Sequence, residues 1–219
     1  MAIVTVDFDG TLYQGNSFKA MFKAGKKRFS TKQWAVFSGG LMKATVSGLI
    51  HGKLKFQHES FKAFVKTFKG QTNIQLDEFF LELVNYGKEE VNQDLVSQIL
   101  EHQNNGDTLI ILSGALEPFL KAFTKELQLD LHIISTELLF NQNGLCSGEI
   151  GQIVNGATKV KKLQEWIEQK QIPTSQIWAY CDSRSDIPLL KYVTHPVVVN
   201  PKEDMLKVAE QNKWKVFGS

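Results

Sequence analysis

Val4-Thr5-Val6-Asp7-Phe8-Asp9-Gly10-Thr11-Leu12 is the stretch on which the reading of this 219-residue chain turns. Residues 2–6 are apolar and rich in β-branched side chains, which predicts a buried strand. Asp7 and Asp9 follow two residues apart, and Gly10 and Thr11 open a turn. In extended backbone, two residues apart means the same side, so both carboxylates are expected to converge on one point. Carboxylates held that close repel each other and are costly to desolvate, which makes a cation their natural partner. Asp, Gly and Thr are also ordinary turn formers, so the segment gains its meaning from the rest of the chain.

Working outward, the chain alternates between two textures. Residues 2–7, 108–113, 131–135, 177–181 and 196–199 are short apolar runs, as in strands buried on both faces of a parallel sheet. Amphipathic segments of helical length lie between the later ones, at 117–127 and 159–169, with a shorter turn at 186–192. That alternation predicts βαβ units and a doubly wound α/β sheet. Residues 16–92 differ. They are rich in Phe and Lys, contain no strand-like run, and repeat apolar residues at helical spacing through Phe56, Phe61, Phe64, Val65 and Phe68. A second helix is expected over 76–86, with Phe79, Phe80 and Leu83 on one side. These aromatic stripes read as core packing. An insertion directly after the first strand is placed to cover the carboxyl ends of the sheet, where α/β folds bind ligands. The expected organisation is a discontinuous core of residues 1–15 and 93–219 with a helical cap of 16–92. Residues 137–150, centred on Asn141-Gln142-Asn143-Gly144, read as a β-hairpin.

Composition narrows the function classes. A formal net charge of +2 is too small to suggest a polyanion partner. The only arginines, Arg28 and Arg184, do not make a nucleic-acid surface. Two cysteines, Cys146 and Cys181, imply no disulfide framework, and Cys181 falls in a strand-like run as a small buried thiol. The five histidines show no metal-ligand spacing. The chain begins directly with a strand, so a signal peptide is not expected. No apolar run is long enough to span a bilayer. The nearest, residues 34–50, is broken by Lys43 and several Gly and Ser, and reads as a cap helix with membrane-surface contact as the alternative. The expected location is the cytoplasm.

Three further signals stand at or near strand ends. Leu109-Ile110-Ile111-Leu112 runs into Ser113-Gly114-Ala115 ahead of a helix, offering a hydroxyl and backbone N–H groups to an anion. Gly156-Ala157-Thr158-Lys159 opens the next helix. A lysine there opposes the helix dipole, which asks for another reason such as a phosphoryl oxygen; the alternative is a solvated residue beside Lys161 and Lys162. Asp182 ends the strand-like run Ile177-Trp178-Ala179-Tyr180-Cys181, and Asp186 follows at a helix entry, where an N-cap role is also open.

In this order the set resembles the haloacid dehalogenase-like hydrolase superfamily. Its four motifs are matched by Asp7-Phe8-Asp9-Gly10-Thr11, by Ser113, by Lys159, and by Asp182 with Asp186. The similarity spans essentially the whole chain and is closest to the phosphoserine phosphatase-like branch, subfamily IB. The stretches Ser185-Asp186-Ile187-Pro188-Leu189-Leu190 and His195-Pro196-Val197-Val198-Val199-Asn200-Pro201 resemble that branch's hydrolases of undefined or lipid-related substrates. The resemblance implies a Rossmann-like core and a phosphatase in which Asp7 is the nucleophile and forms an aspartyl-phosphate. It implies Asp9 as general acid and base. It implies Mg²⁺ held by the Asp7 side chain, the Asp9 backbone carbonyl and Asp182, with Ser113, the Gly114 N–H and Lys159 on the phosphoryl oxygens. Asp186 would orient metal-bound waters or Lys159 from behind.

Phosphoserine phosphatases carry a glutamate shortly after the first motif and a cap arginine. Here the first position is nearest Asn16, and the helix through residues 56–68 has lysines in place of arginine. Free phosphoserine is therefore not the expected substrate. Asn16, His58, Lys62 and Arg184 are the candidate specificity residues, and a small phosphorylated metabolite or a lipid phosphate is the expected partner. The same groups would serve a phosphotransferase or mutase, and a catalytically silent phospho-ligand-binding protein is the remaining alternative.

Overall fold

The computed structural model describes residues 1–173 and 175–218. Strands β1 (Ile3–Val6), β2 (Thr108–Leu116), β3 (His132–Thr136), β6 (Ile177–Cys181), β7 (His195–Val199) and β8 (Lys215–Phe217) form one sheet in the order β3-β2-β1-β6-β7-β8. Every pairing in it is parallel. The chain winds from β1 outward through β2 to β3, then returns to β6 on the other side of β1. That reversal makes the carboxyl ends of β1 and β6 the crevice where a doubly wound sheet takes its ligand.

Both faces of the sheet are covered, which is why β1 is buried at every position. On one face Val4 and Val6 join α5 (Gln93–Asn104) and α6 (Glu117–Glu126) through Leu95, Ile99, Phe119 and Phe123. On the other, Ile3, Ile110 and Ala179 pack with α7 (Ala157–Lys170), α8 (Ile187–Tyr192) and α9 (Glu203–Asn212) through Leu163, Leu189 and Met205. Cys181 is a buried thiol in β6, as expected. The hairpin at 137–150 is present as antiparallel β4 (Leu138–Phe140) and β5 (Cys146–Ile150).

Between β1 and α5 the chain is helical: α1 (Ser17–Arg28), α2 (Thr31–His51), α3 (Lys53–Val65) and α4 (Asn73–Gly87). Ser30 and Thr72 each close a reciprocal capping box with Gln33 and Gln75, setting the starts of α2 and α4. The aromatic stripes are core from Phe64 onward: Phe64 meets Phe68, Phe68 meets Phe79 and Phe80, and Phe80 reaches Phe119. Phe56 is exposed instead and Phe61 half-buried, since both face the cleft beside α1 and α2. A continuous aromatic seam thus ties the insertion to Phe8, beside Asp7. No described helix is long and apolar enough to cross a membrane.

Four elements lack an expectation from the pattern. Helix α1 interrupts its apolar residues with four lysines, α5 and α9 bury only a few residues each, and β8 is a three-residue edge with no apolar run.

Candidate active site at the strand ends

The turn after β1 is closed by its own backbone. The N–H groups of Thr11 and Tyr13 donate to Phe8 O, Leu12 N–H donates to Asp7 O, and Gly10 N–H donates to Tyr13 O. Gly10 sits at φ +81°, and a Cβ there would lie 2.2 Å from Asp182 Oδ2, so only glycine lets β6 bring its carboxylate this close. Thr11 Oγ1 donates to Asp182 Oδ1 at 3.3 Å.

Lys159 is the centre of the charge arrangement. It is 2% exposed, and its Nζ lies 2.9 Å from Asp7 Oδ1 and 2.7 Å from Asp186 Oδ1. A lysine is almost never that deeply buried without paired charges. Burial alone would lower its pKa, but Asp186 and Asp7 outweigh that and hold it above the ordinary lysine range. The solvated-lysine alternative is thereby removed. Asp186 likewise does no capping: its carboxylate accepts from Ser183 Oγ at 2.8 Å and faces Lys159.

Oxygens of Asp7, Asp182 and Asp186 all lie within 4.8 Å of one another. Three carboxylates against one ammonium leave an excess of negative charge in a low-dielectric crevice. Burial, opposed by Lys159 and reinforced by Asp186, pushes the Asp7 carboxyl well above the usual range. Burial and Asp186 raise Asp182 too. An all-oxygen donor set with uncompensated charge fits a hard divalent cation.

Asp9 is held apart from that cluster. Its two oxygens accept from Ser17 N and Ser17 Oγ, both at 2.6 Å, which places the carboxylate on the N-terminus of α1. Burial raises its pKa to about 6 while the two Ser17 bonds work against that. Ser17 is the site residue the sequence reading missed. Its signal is Asn16, the N-cap that accepts from Lys19 N–H and starts the helix at the serine.

Ser113 and Gly114 lie where the β2–β3 register breaks, between Ser113 and Leu116. Ser113 Oγ accepts from Ala115 N–H at 3.3 Å, and Gly114 shares a cavity wall with Asp9. The four specificity candidates separate. Asn16 and His58 line that cavity. Lys62 is exposed beside Glu59 at 3.3 Å, and Arg184 is exposed with Asp204 at 4.0 Å; neither lines the cavities that contain Asp9.

Two cavities meet at Asp9. One, about 750 Å³, is polar, with Lys19, Lys23, Lys202 and Asp182 in its walls. The other, about 480 Å³, lies among α1, α2 and α3 and has five phenylalanines in its walls.

Comparison with known proteins agrees with this geometry. Residues 4–191 match the haloacid dehalogenase-like hydrolase family. A histidinol-phosphatase of Neisseria meningitidis is 30% identical over 123 residues, covering 54% of this chain and 55% of its own length. A phosphoserine phosphatase of Mycobacterium tuberculosis is 24% identical over 209 residues, covering 95% of this chain and 46% of its own. The chain thus spans about half the length of the curated relatives it matches. Among solved structures, a Bordetella pertussis protein of unknown function superposes with a TM-score of 0.81 at 20% identity, covering 99% of this chain and 97% of that one.

Proposed function

Because the chain belongs to the haloacid dehalogenase-like hydrolases, we propose that it is a magnesium-dependent phosphomonoesterase working through an aspartyl-phosphate on Asp7. The observation that carries this reading is the division of labour between the two acids: Asp7 is ion-paired to buried Lys159, while Asp9 is bound separately by Ser17. Two carboxylates in different environments are what a nucleophile and a proton carrier require. The phosphatase names among the relatives support the same reaction class.

In this reading an Asp7 carboxylate oxygen attacks phosphorus, and the bond from phosphorus to the leaving oxygen breaks with its electron pair. Asp9 gives its proton to that oxygen. Water then attacks phosphorus and returns a proton to Asp9, and the bond to Asp7 breaks, restoring the carboxylate. A group titrating near pH 6 can both give and take a proton close to neutrality. Ser113 Oγ, the Gly114 N–H and Lys159 Nζ bind the phosphoryl oxygens, and Asp186 fixes Lys159. Mg²⁺ would be held by Asp7, Asp182 and the Asp9 carbonyl, where it would neutralise charge on the transferring phosphoryl group. Residues 16–92 act as a cap whose first three helices wall the cavity beside Asp9. The substrate is a phosphorylated small molecule, and Asn16 at the mouth argues against free phosphoserine.

Hydrolysis of para-nitrophenyl phosphate tests this. Phosphate release should require Mg²⁺, stop with chelator, and fall by about 10⁴-fold or more in Asp7→Asn. Undiminished turnover by Asp7→Asn would contradict it.

A further inference from the structure

The phenylalanine-walled cavity is larger and more apolar than a phosphate alone requires. Phe18, Phe22, Phe37, Leu41, Phe56 and Phe61 form its walls, and Asp9 and Gly114 its floor. Its volume of about 480 Å³ is within the roughly 300–1,000 Å³ of small-molecule sites. Two polar atoms along it, Ser60 Oγ and His58 Nε2, are buried with no hydrogen-bond partner among the described residues, and Ser60 is only 4% exposed. Buried polar atoms are normally paired, so a ligand that places one or two polar atoms among hydrocarbon would complete them.

At its outer end the cavity is rimmed by Leu54 and Phe56, both exposed. Helix α2, which supplies Phe37 and Leu41 to the same cavity, carries a ridge of Met42, Val46, Leu49 and Ile50 in solvent, with Leu49 84% and Ile50 70% exposed. Helical spacing puts that ridge opposite the face α2 packs on α3. The packed face is built of small residues: Gly40 lies against Ala63 and Gly48 against Phe56, each too close for a Cβ. Helix α2 thus buries Phe37 and Ala44 and sets its glycines against α3, yet leaves four further large apolar side chains in solvent.

The charge of this region is equally one-sided. From Gly10 to His58 the chain has nine Lys and Arg and no Asp or Glu. Two of those cations are paired, Arg28 with Glu82 and Lys55 with Glu59. An apolar ridge on a segment whose own charges are all positive is the chemistry of one lying on an anionic lipid surface.

Building on the phosphatase reading, we propose that the substrate is an amphiphilic phosphate monoester taken from an anionic lipid surface. Its hydrocarbon chain occupies the phenylalanine-walled cavity, its polar linkage meets Ser60 and His58, and the ridge of α2 rests on the lipid.

The test pairs a chain-length series with vesicle binding. Along ethyl, butyl, hexyl and octyl phosphate, kcat/KM should rise at least a hundredfold (about fourfold for each methylene buried), and Phe56→Ala should flatten the slope. The protein should co-sediment with phosphatidylglycerol-containing vesicles and not with phosphatidylcholine alone. Leu49→Glu with Ile50→Glu should abolish co-sedimentation and leave para-nitrophenyl phosphate turnover unchanged. A flat series with para-nitrophenyl phosphate still hydrolysed overturns the proposal, and so does failure to bind either vesicle. A dimer that the double glutamate variant dissolves, without vesicle binding, assigns the ridge to a second copy and also overturns it. Loss of all para-nitrophenyl phosphate turnover in the unmodified protein instead strikes the phosphatase reading, and the substrate assignment with it.

Discussion

The two cavities that share Asp9 are built in opposite ways. The polar one reaches Asp182 after β6, whose carboxylate clusters with that of Asp7 after β1, and Asp7 in turn pairs with Lys159 from the first turn of α7. Asp7 and Asp182 each follow a short apolar run, and the parallel sheet aligns those runs whatever lies between them. On the apolar side, no single position dominates. The walls come from three helices, and their contacts depend on how those helices pack. On the proposed reading the difference separates reaction from selection: a few buried charges would perform the transfer, while a diffuse aromatic surface would choose what is transferred from.

Three changes would break or sharpen that separation. The largest effect is expected for Asp9→Asn, which keeps the shape of both cavities but removes the proton carrier. Turnover of an alkyl phosphate should fall by about 10²–10⁴-fold. Para-nitrophenyl phosphate, whose leaving group needs no proton, should lose much less, and equal losses on both substrates would remove Asp9 from the acid role.

An intermediate effect is expected for Gly10→Ala. The left-handed backbone at φ +81° costs a side chain about 1–2 kcal/mol, and its Cβ would displace the Asp182 carboxylate. Turnover should drop by about a hundredfold and the Mg²⁺ requirement shift upward, with the chain-length slope intact because the apolar walls are untouched. A flattened slope would mean that the two sides are mechanically coupled.

The smallest effect is a pH dependence of stability in metal-free protein. Asp9 has an ordinary value of 3.8 and is raised to about 6 by burial, so the folded state binds its proton more tightly than the unfolded chain does. Its contribution is complete below pH 3.8 and is lost as pH rises through about 6. By linkage this is worth of order 1–3 kcal/mol. Metal-free protein should therefore lose stability relative to Asp9→Asn between about pH 4 and 6, read as the difference in urea midpoints. A difference that grows in the other direction would contradict the burial assigned to Asp9.

Much of this was legible in the linear pattern, for a physical reason. Strands covered on both faces are unbroken apolar runs, so β1, β2, β3, β6 and β7 stand within a few residues of their expected places. The structure also brings Asp7, Lys159, Asp182 and Asp186 into one cluster. Asp7 and Asp182 meet because residues just after such strands share one end of the sheet, and Lys159 and Asp186 join them because α7 and the turn before α8 start beside that end. Elements whose burial rests on a few contacts, such as α9 with Met205 and Ala209, give too weak a stripe to read. Ser17 was hard to read because its backbone and hydroxyl bonds to Asp9 depend on where α1 starts, which the Asn16 N-cap signals without pointing to Asp9. Lys62 shows the remaining limit. It lies one residue beyond Phe61, yet a step of one residue around a helix moves a side chain from the cavity wall to solvent.

The central claim is that Asp7 carries the phosphoryl group between two half-reactions. Rapid acid quenching during steady-state turnover of ³²P-labelled substrate, followed by peptide mapping, tests it directly. The account predicts an acid-stable, hydroxylamine-labile label on the peptide containing Asp7, absent from Asp7→Asn. Label on any other residue, or steady hydrolysis with no labelled protein at any quench time, would contradict it.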